Sequence, residues 1–239
     1  VFNGGAELFR GGVVLAPRCH ARYRKSKFFD EKLGVWRVCM EDYVSEVWIL
    51  WSEDGLRFRP SGVVIKGDGS QHQDFRYGIE DIRIVRADST YLLVGCGKIG
   101  PPFKAKNADR VAIYSTEDFE EIHYHGIIDV FDSRNAVPFR VDGDWYLLLR
   151  FHPNVHVVRL PEGLDMLLRP KQYRDFWKEV YRERPKSLLL KAGELPHERE
   201  KVGAGTQVLR HREYLVLVYH AVGLIRKEIC SEYGLREEI

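Results

Sequence analysis

Glu80-Asp81-Ile82-Arg83 sets two carboxylates and a guanidinium within four positions, ahead of the apolar run Ile84-Val85. A carboxyl group beside a cation is equipment for general acid–base chemistry. A lone Glu-Asp-x-Arg at a strand start serves solubility equally well, but here the layout recurs. Four segments, starting at Asn3, Glu80, Arg134 and Lys201, share one plan: a polar or glycine-rich entry, a strand, a tight turn and a second, more apolar strand. In the second segment the turn falls at Asp88-Ser89.

Short runs rich in Val, Ile, Leu and Tyr, broken by Gly and Asp, predict an all-β chain. Irregularly spaced repeats of this size fit the blades of a propeller carrying insertions. Val47 to Gly55 and Val111 to Phe119, each a strand followed by Ser-x-Asp, fit a reused outer element. In a propeller the first strand of each blade lines the axis, so residues entering those strands gather at one mouth. Asn3, Glu80, Asp81, Arg83, Arg134, Asn135 and Lys201 would meet there, joined by Arg18, Arg150 and His220 from the ends of second strands. Acids ringed by cations suit an anionic substrate held against an acidic catalyst. The competing arrangement is a sandwich or barrel whose Arg and Lys residues end strands in solvent.

The 37 basic and 35 acidic residues nearly cancel to +2 and are mixed along the chain, so no basic face points to nucleic acid or a membrane. Arg22 to Lys27 interleaves Tyr23 with cations, but at this length reads as a solvated loop. Cys19, Cys39, Cys96 and Cys230 lack metal-ligand spacing, which predicts no metal site and buried free thiols in a reducing, cytoplasmic setting. No apolar run reaches the length of a membrane span and no signal-peptide pattern opens the chain, although Val1 in place of Met leaves an upstream segment open. Pro170 to Arg184 carries Tyr173, Phe176, Trp177, Val180 and Tyr181 at near-helical spacing, which predicts an amphipathic helix or a long inserted loop whose aromatics pack.

Six motifs in order resemble glycoside hydrolase family 130, which includes β-mannoside phosphorylases and β-mannosidases. They are Phe2-Asn3-Gly4-Gly5-Ala6, Ser52-Glu53-Asp54-Gly55, Gly78-Ile79-Glu80-Asp81-Ile82-Arg83, Arg134 to Phe139 with Leu149-Arg150, Lys201-Val202-Gly203-Ala204-Gly205, and Tyr219-His220-Ala221-Val222. Ile82 and Gly4 stand where the family has proline. The resemblance implies a single five-bladed propeller over residues 1–239, with the last blade cut short at the C-terminus. A ring with an incomplete blade would be differently closed or completed by a partner chain, so homo-oligomerisation stays open. The resemblance further implies inverting phosphorolysis of β-linked mannosides (mannobiose, mannooligosaccharide or mannosyl-glucose) to α-mannose 1-phosphate. Asp81 would be the general acid, its proton passing through a sugar hydroxyl. Arg134, Asn135, Arg150, Lys201 and His220 would hold inorganic phosphate, a co-substrate, with no other cofactor. Asn3, Arg18, Glu80 and Arg83 would position the sugar or the acid. Phosphate as nucleophile needs no second carboxylate base, only groups that hold and orient it. The alternatives are a β-mannoside hydrolase with Glu80 or another carboxylate as base, and a non-catalytic carbohydrate-binding propeller.

Overall fold

A computed structural model describes residues 3–20, 23–30, 34–101 and 108–223. Its strands, in chain order, are β1 (Gly4–Phe9), β2 (Gly12–His20), β3 (Arg24–Asp30), β4 (Val35–Glu41), β5 (Ser45–Ser52), β6 (Arg59–Ile65), β7 (Ile79–Ala87), β8 (Thr90–Lys98), β9 (Asp109–Thr116), β10 (His123–Ile128), β11 (Arg134–Val141), β12 (Asp144–Phe151), β13 (Asn154–Leu160), β14 (Leu188–Leu190), β15 (Lys201–Ala204), β16 (Leu209–His211), β17 (Tyr214–Val216) and β18 (Tyr219–Val222). The helices are α1 (Asp165–Leu168) and α2 (Arg174–Arg182).

The protein is all-β apart from these helices and two short helical turns. Three antiparallel four-stranded sheets follow one another, in the orders β1-β2-β5-β6, β7-β8-β9-β10 and β11-β12-β13-β14. The fourth segment forms a hairpin whose register slips between the pairs Ala204↔Tyr219 and Leu209↔Val216. Among the described residues these elements do not form a closed ring; residues 224–239, expected to begin the last blade, lie outside them.

The repeat expected from sequence is present in the backbone. All four hairpins, β1–β2, β7–β8, β11–β12 and β16–β17, turn on two residues. The first residue of each turn, Arg10, Asp88, Asp142 and Arg212, has a left-handed φ between 43° and 55°. The Ser-x-Asp element is likewise reused. Ser52 and Thr116 end the third strands, and each hydroxyl accepts a backbone N–H three residues on, while Asp54 and Asp118 each accept two N–H bonds from the turn that follows. The counterpart of Ser52 is therefore Thr116, not the neighbouring Ser115.

Each sheet buries its faces against the next. Val14, Ala16, Val47 and Ile49 of the first sheet pack on Ile82, Ile84, Leu93 and Tyr114 of the second. The second sheet's other face, with Leu92, Val94 and Ile113, meets Trp145, Leu147 and Leu149 of the third. Val202 and Ala204 cover Val137 and Leu148 in turn. β8 and β9 are buried almost throughout, which is why they read as unbroken apolar runs. The first strands lie side by side, β1 on β7, β7 on β11 and β11 on β15, so strand-entry residues far apart in sequence are brought to one place.

Three local expectations need adjusting. Of Arg22 to Lys27, expected to be a loop, Arg24 to Lys27 instead open β3, because Val35 to Glu41 supplies a β-prone partner strand, with Lys27 opposite position 38 in the register; Tyr23 precedes the strand and Arg22 lies outside the described residues. Within Pro170 to Arg184 the helix is α2 alone, followed by a helical turn at Arg184–Ser187, with Trp177 fully buried in the second core. Cys39 and Cys96 are buried free thiols, but Cys19 is only half-buried, and Cys230 lies outside the described residues.

The approach of β1 to β7 depends on Gly5, where an added Cβ would sit 2.6 Å from the Ile84 nitrogen and 2.9 Å from the Arg83 Cα. Gly5→Ala is expected to cost about 1–3 kcal/mol by overpacking, read in thermal unfolding as a fall of roughly 2–4 °C per kcal/mol.

Candidate active site

Asp81 and Asn135 occupy equivalent places. Each follows the first residue of its strand's entry pair, in β7 and β11, and each strand bulges there, between Glu80 and Arg83 and between Arg134 and Val137. Both residues adopt left-handed backbone, φ 55° and 56°, a conformation that Asp and Asn accept more readily than other side chains. The bulge re-aims each side chain toward the shared centre.

The Asp81 carboxylate is buried, with 2% of the residue exposed. Asn3 Nδ2 donates to its Oδ1 at 2.7 Å and Arg18 Nη1 lies 3.4 Å from the same oxygen. Arg134 Nη2 donates to Oδ2 at 2.8 Å, and Asn135 Nδ2 reaches Oδ2 at 3.4 Å. Arginines fix which way both amides point. Arg83 Nη2 donates to Asn3 Oδ1 at 3.2 Å and Arg150 Nη1 to Asn135 Oδ1 at 3.0 Å, so each amide turns its NH2 toward Asp81. Arg83 thus acts on the acid through Asn3. It is 1% exposed, and its Nε and Nη1 have no hydrogen-bond partner.

Glu80 stands behind Asp81. Tyr43 donates to Oε1 at 2.8 Å, while Oε2 accepts from Arg134 at 2.8 Å and pairs with Arg18 at 3.1 Å and Lys98 at 3.5 Å. A carboxylate so fully engaged, at 3% exposure, is an anchor for cations and has no free face for a sugar or a water. Asp109 completes the cluster, accepting from Lys98 at 3.0 Å and pairing with Arg134 Nη1 at 3.5 Å. Five cations, Arg18, Arg83, Lys98, Arg134 and Arg150, then surround three carboxylates.

This surplus shows in the ionisation of the groups. Burial disfavours the Asp81 carboxylate, but Arg134 and Arg18 overturn that and hold its pKa below the ordinary carboxylate value. For Arg134 burial is likewise outweighed, by Cys96, Asp81, Asp109 and Glu80, which raise its pKa. For Arg150 the balance falls the other way: burial and the neighbouring Arg134 outweigh Asp109 and Asp81 and push it down to about 10. His220 is lowered by burial and by Arg150, with Lys201 adding to the effect, so its ring is neutral at pH 7. It packs beside Asn135, since a Cβ on Gly203 would meet the His220 ring at 2.6 Å and Asn135 Oδ1 at 3.0 Å.

The structure therefore gathers Asn3, Arg18, Glu80, Asp81, Arg83, Arg134, Asn135, Arg150 and His220 around one centre. Lys201, on β15, flanks it through its field on His220. Tyr43, Lys98 and Asp109 were not foreseen. Lys98 had a signal: it ends the second strand of its sheet, as Arg18, Arg150 and His220 end theirs. Among the described residues, no group of His, Cys, Asp and Glu is placed to hold a metal ion, and no helix is long and apolar enough to cross a membrane.

A family model described as beta-1,4-mannooligosaccharide phosphorylase, of glycoside hydrolase family 130, matches residues 1–230. No curated protein matches the chain. Among solved structures, β-1,2-mannobiose phosphorylase from Listeria innocua, in complex with β-1,2-mannobiose, aligns with a TM-score of 0.62 at 18% identity, over 95% of this chain and 68% of that one. A glycosyl hydrolase from Bacteroides ovatus gives 0.61 at 14% identity, over 91% of this chain and 59% of that one. A structure from work on family 130 hydrolases that target β-1,2 mannosidic linkages in Candida mannan gives 0.57 at 15% identity, over 91% and 59%. This chain thus spans about three fifths to two thirds of those chains, and at these identities the likeness speaks for the fold.

The ionisation of Asp81 has a consequence for stability. Its folded-state pKa lies below that of the unfolded chain, about 3.9, so the carboxylate contributes stability above that pH and loses it as pH falls through the folded value. The difference in melting temperature between wild type and Asp81→Asn, followed by calorimetry from pH 7 to pH 3, is expected to shift against the wild type on acidification. A constant difference would mean that Asp81 titrates as in the unfolded chain.

Proposed function

We propose that this chain, which belongs to glycoside hydrolase family 130, cleaves β-linked mannosides by inverting phosphorolysis, releasing α-mannose 1-phosphate. The observation that carries this reading is Arg150, a buried cation whose guanidinium bonds the neutral amide of Asn135 and, among the described residues, forms no ion pair, set beside Arg134 and His220 near a buried acid. Water as nucleophile needs a carboxylate base on the far face of the sugar, and Glu80, with both oxygens occupied, is unsuited to that role. A phosphate dianion needs only to be held and aimed, which arginine does by bidentate contact and lysine as a point charge.

In this reading a phosphate oxygen attacks the anomeric carbon from the α face as the β-glycosidic bond breaks. The bonding electrons pass to the leaving sugar oxygen, which takes its proton from Asp81, directly or through a sugar hydroxyl. Arg134, Arg150, Lys201, Asn135 and His220 hold the phosphate, Asn3 and Arg18 orient the acid, and Arg83 orients Asn3. We assign the three four-stranded sheets and the β15–β18 hairpin to successive blades of a five-bladed propeller forming one domain. The buried free thiols Cys39 and Cys96 support a cytoplasmic setting.

An ionised Asp81 must gain a proton before it can give one. A phosphate dianion among Arg134, Arg150, Lys201 and His220 weakens the positive field that keeps Asp81 ionised, against the standing contributions of Arg18 and Arg83. The same negative charge falls beside the neutral His220 ring, so phosphate binding near pH 8 is expected to take up protons at both groups. Titration calorimetry in buffers of different ionisation enthalpy reads this directly, and Asp81→Asn should lower the uptake, the remainder falling to His220.

The reaction itself is tested by incubating the protein with β-1,4- and β-1,2-mannobiose, with and without inorganic phosphate. Mannose 1-phosphate formed only with phosphate is the expected result, with the preferred disaccharide giving the linkage. Free mannose in both tubes would make the protein a hydrolase, and sugar binding without product a carbohydrate-binding protein. Asp81→Asn is expected to lower kcat by about 10²–10⁴-fold.

A further inference from the structure

Arg134 is asked to do two things at once. Its Nη2 edge serves Asp81 and Glu80, and in the reading above the same guanidinium faces phosphate. A side chain with four rotatable bonds holds such a position only if something grips its other edge. The group found there is Asp109, whose Oδ2 lies 3.5 Å from Nη1.

Asp109 is itself fixed. It opens β9 directly opposite Lys98, the last residue of β8, and Lys98 Nζ donates to its Oδ1 at 3.0 Å. Both residues are buried, at 4% and 7% exposure. A buried lysine–aspartate pair seldom stabilises a fold more than well-packed apolar residues of the same volume would. Its presence at the back of the cluster is better explained by what it holds. Lys98 also reaches Glu80 at 3.5 Å, so the two carboxylates flanking Arg134 are tied to one ammonium. Glu80, Lys98, Asp109 and Arg134 thereby close a buried ring of alternating charge.

We propose that Asp109 is a positioning residue that acts through Arg134: braced by Lys98, it fixes the outer edge of the guanidinium so that the inner edge is aligned with Asp81 and the incoming phosphate. Asp109 touches neither substrate. The inference rests on the phosphorolytic reading, since it concerns the placement of a phosphate ligand.

The test compares wild type, Asp109→Asn and Asp109→Glu in phosphate-dependent turnover, in binding of inorganic phosphate by calorimetry, and in thermal unfolding. Asp109→Asn keeps an acceptor for Lys98 but removes the charge that grips Arg134. Its KM for phosphate is expected to rise roughly tenfold or more, within the ~10²-fold that misplacement of a catalytic group costs, with a smaller change in kcat. Asp109→Glu should recover part of the loss. An unchanged phosphate KM in Asp109→Asn, or a fall confined to melting temperature, would overturn the proposal. Should Asp109→Asn fail to fold, the paired Lys98→Met, Asp109→Leu variant removes both charges together, and a wild-type phosphate KM in it overturns the proposal equally. A wild-type protein that neither binds nor uses phosphate would instead overturn the phosphorolytic reading.

Discussion

One guanidinium holds the centre of this molecule together. Arg134, at the start of the third sheet, pairs with Glu80, Asp81 and Asp109, three carboxylates of the second sheet, two on β7 and one at the start of β9. Carboxylates at this depth depend on such partners, because burial penalises an isolated charge by several kcal/mol. Remove Arg134 and these ion pairs between the second and third sheets are lost, leaving Glu80, Asp81 and Asp109 to Arg18 and Lys98. The packing of Ile82, Ile84 and Val94 nearby presupposes that this electrostatic problem is solved, so the site is also a joint between sheets.

Much of the architecture was legible because the chain repeats itself. Turns at Arg10-Gly11, Asp88-Ser89 and Asp142-Gly143 fall at matching distances from the strand entries, and the strand-end hydroxyl and aspartate recur at Ser52 and Thr116. Residues sharing an offset from such landmarks share a place in space, which is how Asn3, Asp81, Asn135 and His220 could be grouped before any coordinates. The short fourth segment was harder to read, since the register slip after Ala204 divides one hairpin into two short pieces.

What sequence did not reveal were partners defined only across sheets. Asp109 follows a stretch with no strand signal, and nothing local says that its carboxylate meets Arg134. Tyr43 lies between an inserted hairpin and β5, and only the fold brings its hydroxyl to Glu80. The roles of Glu80 and Arg83 also changed in three dimensions. Both stand beside Asp81 in the chain, yet the bulge turns Asp81 one way, while Glu80 faces the ring of cations behind it and Arg83 faces Asn3.

The left-handed backbone at Asp81 restricts the chemistry of this position more tightly than the pocket does. A glutamate is as good an acid in water, but it accepts left-handed backbone less readily than aspartate, so exchange between the two acids carries a conformational cost before reach or orientation is considered. Acid strength here is adjusted more cheaply through the neighbours than by choosing a different acid: an arginine traded for lysine at position 18, an amide lost at position 3, a histidine gained or removed across the pocket. Divergence among proteins built on this strand entry should therefore be written in the surrounding cations and amides while the aspartate stays in place.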